Sequence, residues 1–92
     1  MESKDKTAEW PWTHELKTWQ PYFTAIAVGE KTFEVRKADR AFKVDDILYL
    51  REWCPSMQEY TGRDLRKRVT YVLVGGQFGI EPGYVVMGLQ DV

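Results

Sequence analysis

The stretch that most constrains this chain is Gly29-Glu30-Lys31-Thr32-Phe33-Glu34-Val35-Arg36. It reads as a helix end, a short turn and a strand. Strand side chains alternate faces, so Phe33 and Val35 point one way and Glu34 and Arg36 the other. The expectation is that Phe33 and Val35 enter the core. A carboxylate and a guanidinium then share the opposite face, about 7 Å apart at the backbone. Lys31 has the other parity, but it stands at the turn, where parity is not enforced, so it can swing toward Glu34. This charge set inside a short apolar strand marks a candidate site without naming a substrate.

The rest of the chain must build a frame for that strand. Ninety-two residues make one domain. A chain this short needs an efficient core; 43% hydrophobic and 14% aromatic residues supply one and argue against a disordered chain. Thirteen Lys and Arg oppose fourteen Asp and Glu. No global field therefore draws the chain to nucleic acid or membrane, and any nucleic-acid role must come from local clustering. Cys54 is the only cysteine, which excludes an intrachain disulfide and a cysteine-rich metal site and fits a reducing cytoplasm. The N-terminus lacks the apolar core of a signal peptide, and no apolar run approaches membrane-span length. The expected localisation is cytoplasmic, with no membrane partner.

Residues 1–12 are expected to be a mobile N-terminal tail, although Trp10 and Trp12 have reason to fold back. Residues 13–92 form the single domain. A short strand covers 14–17. Thr18 is placed to cap a helix from Trp19, with Pro21 tolerated in its first turn. Trp19, Phe23 and Ile26 recur at helical spacing, and Gly29 is the expected residue past the helix end. Further strands are predicted over 32–36, 47–53, 65–74 and 84–89, with a hairpin loop at 55–62. The fold class is α+β: a small, partly closed mixed β-barrel of about five or six strands with one early helix. Its expected core is Phe23, Ile26, Phe33, Val35, Leu48, Leu50, Val72 and Val86.

Gly29, Lys31, Glu34 and Arg36 reproduce the G-x-K-x-x-E-x-R signature of ASCH domains, which have a PUA-like β-barrel fold. His14-Glu15-Leu16-Lys17, the helix at 19–28, the stretch 42–53 and Gly79-Ile80-Glu81-Pro82-Gly83-Tyr84 extend the match over residues 14–90. Together they resemble a small bacterial and phage family of unknown-function domains placed in that superfamily. Asp46 is taken as the residue standing where the family has Gly in a V-G-D turn. The resemblance implies a cleft between barrel and early helix, lined by the signature residues, that binds RNA or modified nucleosides. A few small bacterial members resemble amidohydrolases acting on acetylated cytidine through a Lys, a hydroxyl residue and a distant acid. Lys31 matches the Lys, Glu34 stands where those enzymes carry Thr, and Glu81 is the stand-in for the acid.

The ligand- or RNA-binding residues expected on these grounds are Lys17, Lys31, Glu34, Arg36, Trp19 and Arg40. The planar fork of Arg36 suits a phosphate or a base edge. Glu34 can accept from an exocyclic amine or orient Arg36. Lys31 is a phosphate contact or, with Glu34, the catalytic pair of an enzyme. The leading reading is an RNA- or nucleotide-binding module, with RNA or a modified nucleoside as partner to a monomer. The rivals are an amidohydrolase on modified nucleosides and a phage or host protein-interaction module. The bland alternative for the triplet is an ion-paired latch. In the site reading Lys31 and Arg36 are held apart and partly wet, poised for a ligand, and removing Glu34 costs about 1 kcal/mol or less. In the latch reading Glu34→Gln leaves Lys31 or Arg36 buried and unpaired, at a cost of about 3–5 kcal/mol. The lone His14 cannot build a multi-His metal site, and neither metal nor cofactor is expected. Arg63, Arg66, Lys67 and Arg68 form a basic run, which alternation splits, with Arg66 and Arg68 on one face and Lys67 on the other. With Arg36, Lys37, Arg40 and Lys43 the run offers a phosphate-tracking surface; a solvated strand edge is the plainer account.

Overall fold

The computed structural model describes residues 12–92. Apart from Trp12, the expected tail lies outside the described residues. The elements are β1 (His14–Trp19), α1 (Gln20–Ala27), β2 (Phe33–Lys37), β3 (Ile47–Cys54), β4 (Glu59–Val74) and β5 (Tyr84–Asp91). They form one five-stranded sheet in the order β1-β3-β4-β5-β2. β1 runs parallel to β3, and the other pairings are antiparallel. A parallel pair needs a crossover, and the segment holding α1 and β2 supplies it. β1 and β2 are therefore the two sheet edges, yet Arg36 on β2 donates a 2.8 Å hydrogen bond to the carbonyl of Lys17 on β1. The sheet is curled until its edges nearly meet. The result is a barrel-like α+β domain, mostly β, with an open seam.

The helix begins one residue later than the pattern predicts. Trp19 is still extended (φ −62°, ψ 146°) and occupies the N-cap position, with no side chain capping the helix. Thr18 is not the cap: it is buried on the inner face of β1, alternating with Leu16. Pro21 stands in the first turn, where its missing N–H costs nothing. Gly29 ends the helix as expected, at φ 85°, with its N–H on the carbonyl of Ile26 at 3.1 Å. The β3–β4 hairpin is tighter than the predicted loop, because β4 already starts at Glu59.

The core is Leu16, Phe23, Ile26, Leu48, Leu50, Val69, Val85, Met87 and Leu89. Phe23, Ile26, Leu48 and Leu50 are buried as expected. Phe33 and Val35 are not: they are 45% and 49% exposed, and Glu34 faces inward at 4%. The predicted faces of β2 are reversed. The ladder shows why. Glu34 pairs with Met87 and Val35 with Val86, and residues directly opposite share a face. β5 turns Val85, Met87 and Leu89 inward, so Val86 goes outward and Glu34 follows Met87 in. Val72 is half-buried against the core. Trp19 is not a core residue; it is 51% exposed.

The turn after Val44 also differs in detail. The left-handed residue is Asp45, at φ 76°, rather than Asp46. Asp46 is buried, and its carboxylate accepts the Lys43 N–H at 2.8 Å and bonds His14 Nε2 at 2.8 Å. The position needing a glycine-like conformation is therefore 45, and His14 serves the turn.

Candidate functional site

Glu34 is the centre of the site. Its Oε1 accepts from Lys31 Nζ at 2.9 Å and its Oε2 from Arg36 Nε at 2.6 Å. Lys31 gets there because the turn after α1 folds back, with the N–H groups of Glu30 and Lys31 both on the carbonyl of Ala25. From that position its ammonium also donates to the Phe33 carbonyl at 2.8 Å. Arg36 lies two residues beyond Glu34 on the same strand face. Its Nη2 continues across the seam to the Lys17 carbonyl and, at 3.3 Å, to the Thr18 hydroxyl. Burying a carboxylate is costly unless charged donors reach it; here two do, by short charge-assisted bonds. Both oxygens of the buried Glu34 are thus engaged by its two cations. One carboxylate between two cations leaves positive charge in excess, and both cations keep partial access to water.

That excess charge faces a cleft of about 460 Å³ at the seam. β1 contributes Lys17, Thr18 and Trp19, the first helical turn contributes Tyr22, and β2 contributes Glu34 to Lys37, with Lys31 between. Trp19 and Tyr22 are each about half exposed, at 51% and 55%. Two of the three Lys31 ammonium hydrogens are used. Arg36 Nη1 has no partner among the described residues. The site therefore offers unspent cationic donors beside aromatic faces. Among the described residues no group of three metal-ligating side chains occurs.

Of the predicted binding residues, the fold brings Lys17, Trp19, Lys31, Glu34 and Arg36 together. Lys17 supplies its carbonyl to the seam, while its ammonium lies 3.9 Å over the Trp53 ring. Arg40 is not part of the cleft lining; it pairs with Asp39 at 3.1 Å and reaches the Glu15 carbonyl at 3.5 Å. Glu81 does not line this cleft either. Three residues were missed. Thr18 is the hydroxyl that does line the cleft, and its inward parity with Leu16 was legible once β1 was extended by two residues. Tyr22 flanks the helical stripe and reads as a packing residue. Glu52 is a second buried carboxylate, held by the Thr61 hydroxyl at 2.6 Å; its parity with Leu48 and Leu50 on β3 is the signal that could have found it.

Fold and site together define a small barrel-like domain with a cation-lined cleft at its open seam. The family described as Domain of unknown function (DUF3850) matches residues 13–89, and the chain belongs to this family. It is also similar to the Uncharacterized 12.9 kDa protein in GpA 3'region of Escherichia phage P2, at 39% identity over 59 residues. That match covers 64% of this chain and 52% of the phage protein, so the chain spans about half the length of the curated relative it matches. The resemblance to a family of unknown-function domains with phage members is borne out at that level. No helix among the described residues is long and apolar enough to cross a membrane.

Proposed function

We propose that this domain is a PUA-like barrel of the ASCH kind that binds RNA or a nucleotide-sized ligand in the seam cleft. The observation that carries this reading is the meeting, around one 460 Å³ cleft, of the Lys31–Glu34–Arg36 group with two exposed aromatic rings. The volume falls in the range that holds a small organic ligand. Arg36 Nη1 and the third Lys31 hydrogen are the donors for a phosphate or a base edge. Trp19 or Tyr22 offers a stacking face, worth about 1–3 kcal/mol per base. Glu34 acts by fixing the two cations rather than by reading the base.

The amidohydrolase reading has less support. Glu34 and the Phe33 carbonyl engage two of the Lys31 ammonium hydrogens and hold it as a donor, and the cleft hydroxyl, Thr18, bonds Arg36. A protein-interaction role rests on one observation, the outward apolar surface of Phe33, Val35 and Tyr71.

The test is an amide and indole chemical-shift titration with nucleosides, nucleoside 5′-monophosphates and short RNAs at low salt. Shifts should concentrate on Trp19, Lys31 and Arg36. With about three or four phosphate contacts, the affinity for RNA should fall with salt at a log–log slope of roughly −2 to −3. Arg36→Met should weaken binding about tenfold or more. The absence of shifts with every probe, or shifts confined to other surfaces, would sink the proposal.

A further inference from the structure

Lys17 and Trp19, which line the cleft, stand on the outer face of the sheet, and that face has an ordered composition. In-register pairing sets Trp19, Trp53 and Tyr60 abreast across β1, β3 and β4. Trp53 and Tyr60 meet edge to face at 5.0 Å. Trp19 closes the row at the cleft, whose wall it forms. The next residues along the strands are Lys17, Arg51 and Asp64, then Glu15, Tyr49 and Arg66. Cations lie directly on the aromatic row: Lys17 Nζ is 3.9 Å from the Trp53 ring and the Arg51 guanidinium 3.9 Å from the Tyr60 ring.

We infer that the row Trp19–Trp53–Tyr60, with Lys17 and Arg51, is a track for single-stranded nucleic acid flanking the nucleotide held in the cleft. This inference rests on the cleft reading and extends it from a nucleotide to a strand. Charge decides the kind of occupant. On the outer face of β1, β3 and β4, Lys17, Arg51, Arg66 and Arg68 outnumber Glu15 and Asp64, in a chain of net charge −1. Both acids are already bound, Glu15 to Arg51 at 2.9 Å and Asp64 to the Tyr49 hydroxyl at 2.6 Å. Among the described residues Arg66 and Arg68 have no carboxylate partner. A surplus of cations calls for an anionic partner, and the aromatic row between them calls for one that also has flat rings. A polynucleotide supplies both. Base stacking on an aromatic side chain outweighs an exposed cation–π contact, so a base displaces Lys17 or Arg51 from its ring and the cation moves to the adjoining phosphate. Two strand spacings put the far end of the row about 10 Å from Trp19, room for about one or two flanking nucleotides.

The experiment compares the four nucleoside 5′-monophosphates with the four homopentaribonucleotides by titration calorimetry at low salt. It uses the wild type, Tyr60→Leu and Arg51→Met, with melts confirming that each variant folds. The best pentamer should bind the wild type at least about tenfold tighter than its monophosphate. Each variant should lose most of that advantage while keeping the wild-type monophosphate affinity. A pentamer that binds no tighter than its monophosphate overturns the track and leaves the cleft reading standing. Unchanged pentamer affinity in both variants does the same. If neither monophosphates nor pentamers bind, both ideas fall together. An oligoglutamate peptide binding as tightly as the pentamer, with the same sensitivity to Arg51→Met, would replace nucleic acid by an acidic peptide and overturn the inference.

Discussion

Strand β2 alternates Phe33, Glu34, Val35 and Arg36, and strand β3 alternates leucines with Tyr49, Arg51 and Trp53. Both are apolar residues interleaved with polar or charged ones. In β3 the leucines at 48 and 50 go inward and Tyr49 and Arg51 outward; in β2 Glu34 and Arg36 go inward and Phe33 and Val35 outward. Position in the sheet accounts for the difference. β3 lies between β1 and β4 and under α1, where an inward charge would meet only apolar neighbours until the strand end. β2 is an edge at the seam, where Lys31 arrives from the turn and Arg36 has the opposite edge within reach. An inward carboxylate is tolerated where cations can be brought to it. The same edge position that allows the charge also creates the cleft.

If β3 is the strand that carries the core, Leu50→Ala should give the largest loss, about 4 kcal/mol in urea unfolding, since the side chain is fully buried. That is a large share of a small domain's stability. A loss under about 2 kcal/mol would mean that the inner face of β3 is less tightly packed than its burial implies.

The next effect tests β2. Glu34→Gln leaves Lys31 and Arg36 without their carboxylate inside the seam. The expected cost is about 3 kcal/mol, held to the low end because both cations keep some water. Glu52→Gln is the matched control. Glu52 is equally buried, but its close partner is a neutral hydroxyl, and Arg63 stands 3.6 Å away on an exposed side chain. A glutamine carbonyl still accepts from Thr61, so the change should stay within about 1 kcal/mol. Equal costs at 34 and 52 would dissolve the distinction between a seam built around a charge and a strand end that merely hides one.

Much of this was legible in the sequence. The helix with its Gly29 stop, the leucines of β3 and the charge set at 31, 34 and 36 were all readable, because each depends on local spacing. Which face of β2 turns inward was not. Alternation yields two sets of residues, and hydropathy assigns the greasier set to the core. Here the assignment was made by a partner strand fifty residues away: Met87 is in, and Glu34 is its neighbour on the ladder. Thr18 was lost for a related reason. A Ser or Thr before a helix is the usual cap, yet the parallel pairing of β1 with β3 runs through Trp19 and keeps Thr18 on a strand. The six-residue set proposed for binding lost only Arg40 from the cleft, since a side chain's reach along a seam is not written in its spacing.

The smallest expected effect bears most directly on that error. Val35→Thr keeps a β-branched side chain, so the strand preference is retained, and it exchanges one methyl for a hydroxyl. On the outward face, where Val35 is about half exposed, the hydroxyl finds water and the change should cost about 0.5 kcal/mol or less. On the inward face the same hydroxyl would displace Glu34 from between its cations and meet Met87, and an unsatisfied buried hydroxyl alone costs about 1–3 kcal/mol. Phe33→Ala, on the same outward face, should lose about 1 kcal/mol, the share of its ring that is covered. Urea unfolding of both variants beside Glu34→Gln gives the ordering. The reversed strand requires Glu34 to be the most sensitive of the three positions, Phe33 next and Val35 the least; any order that puts Val35 above Glu34 returns the apolar side of β2 to the core and closes the charged cleft.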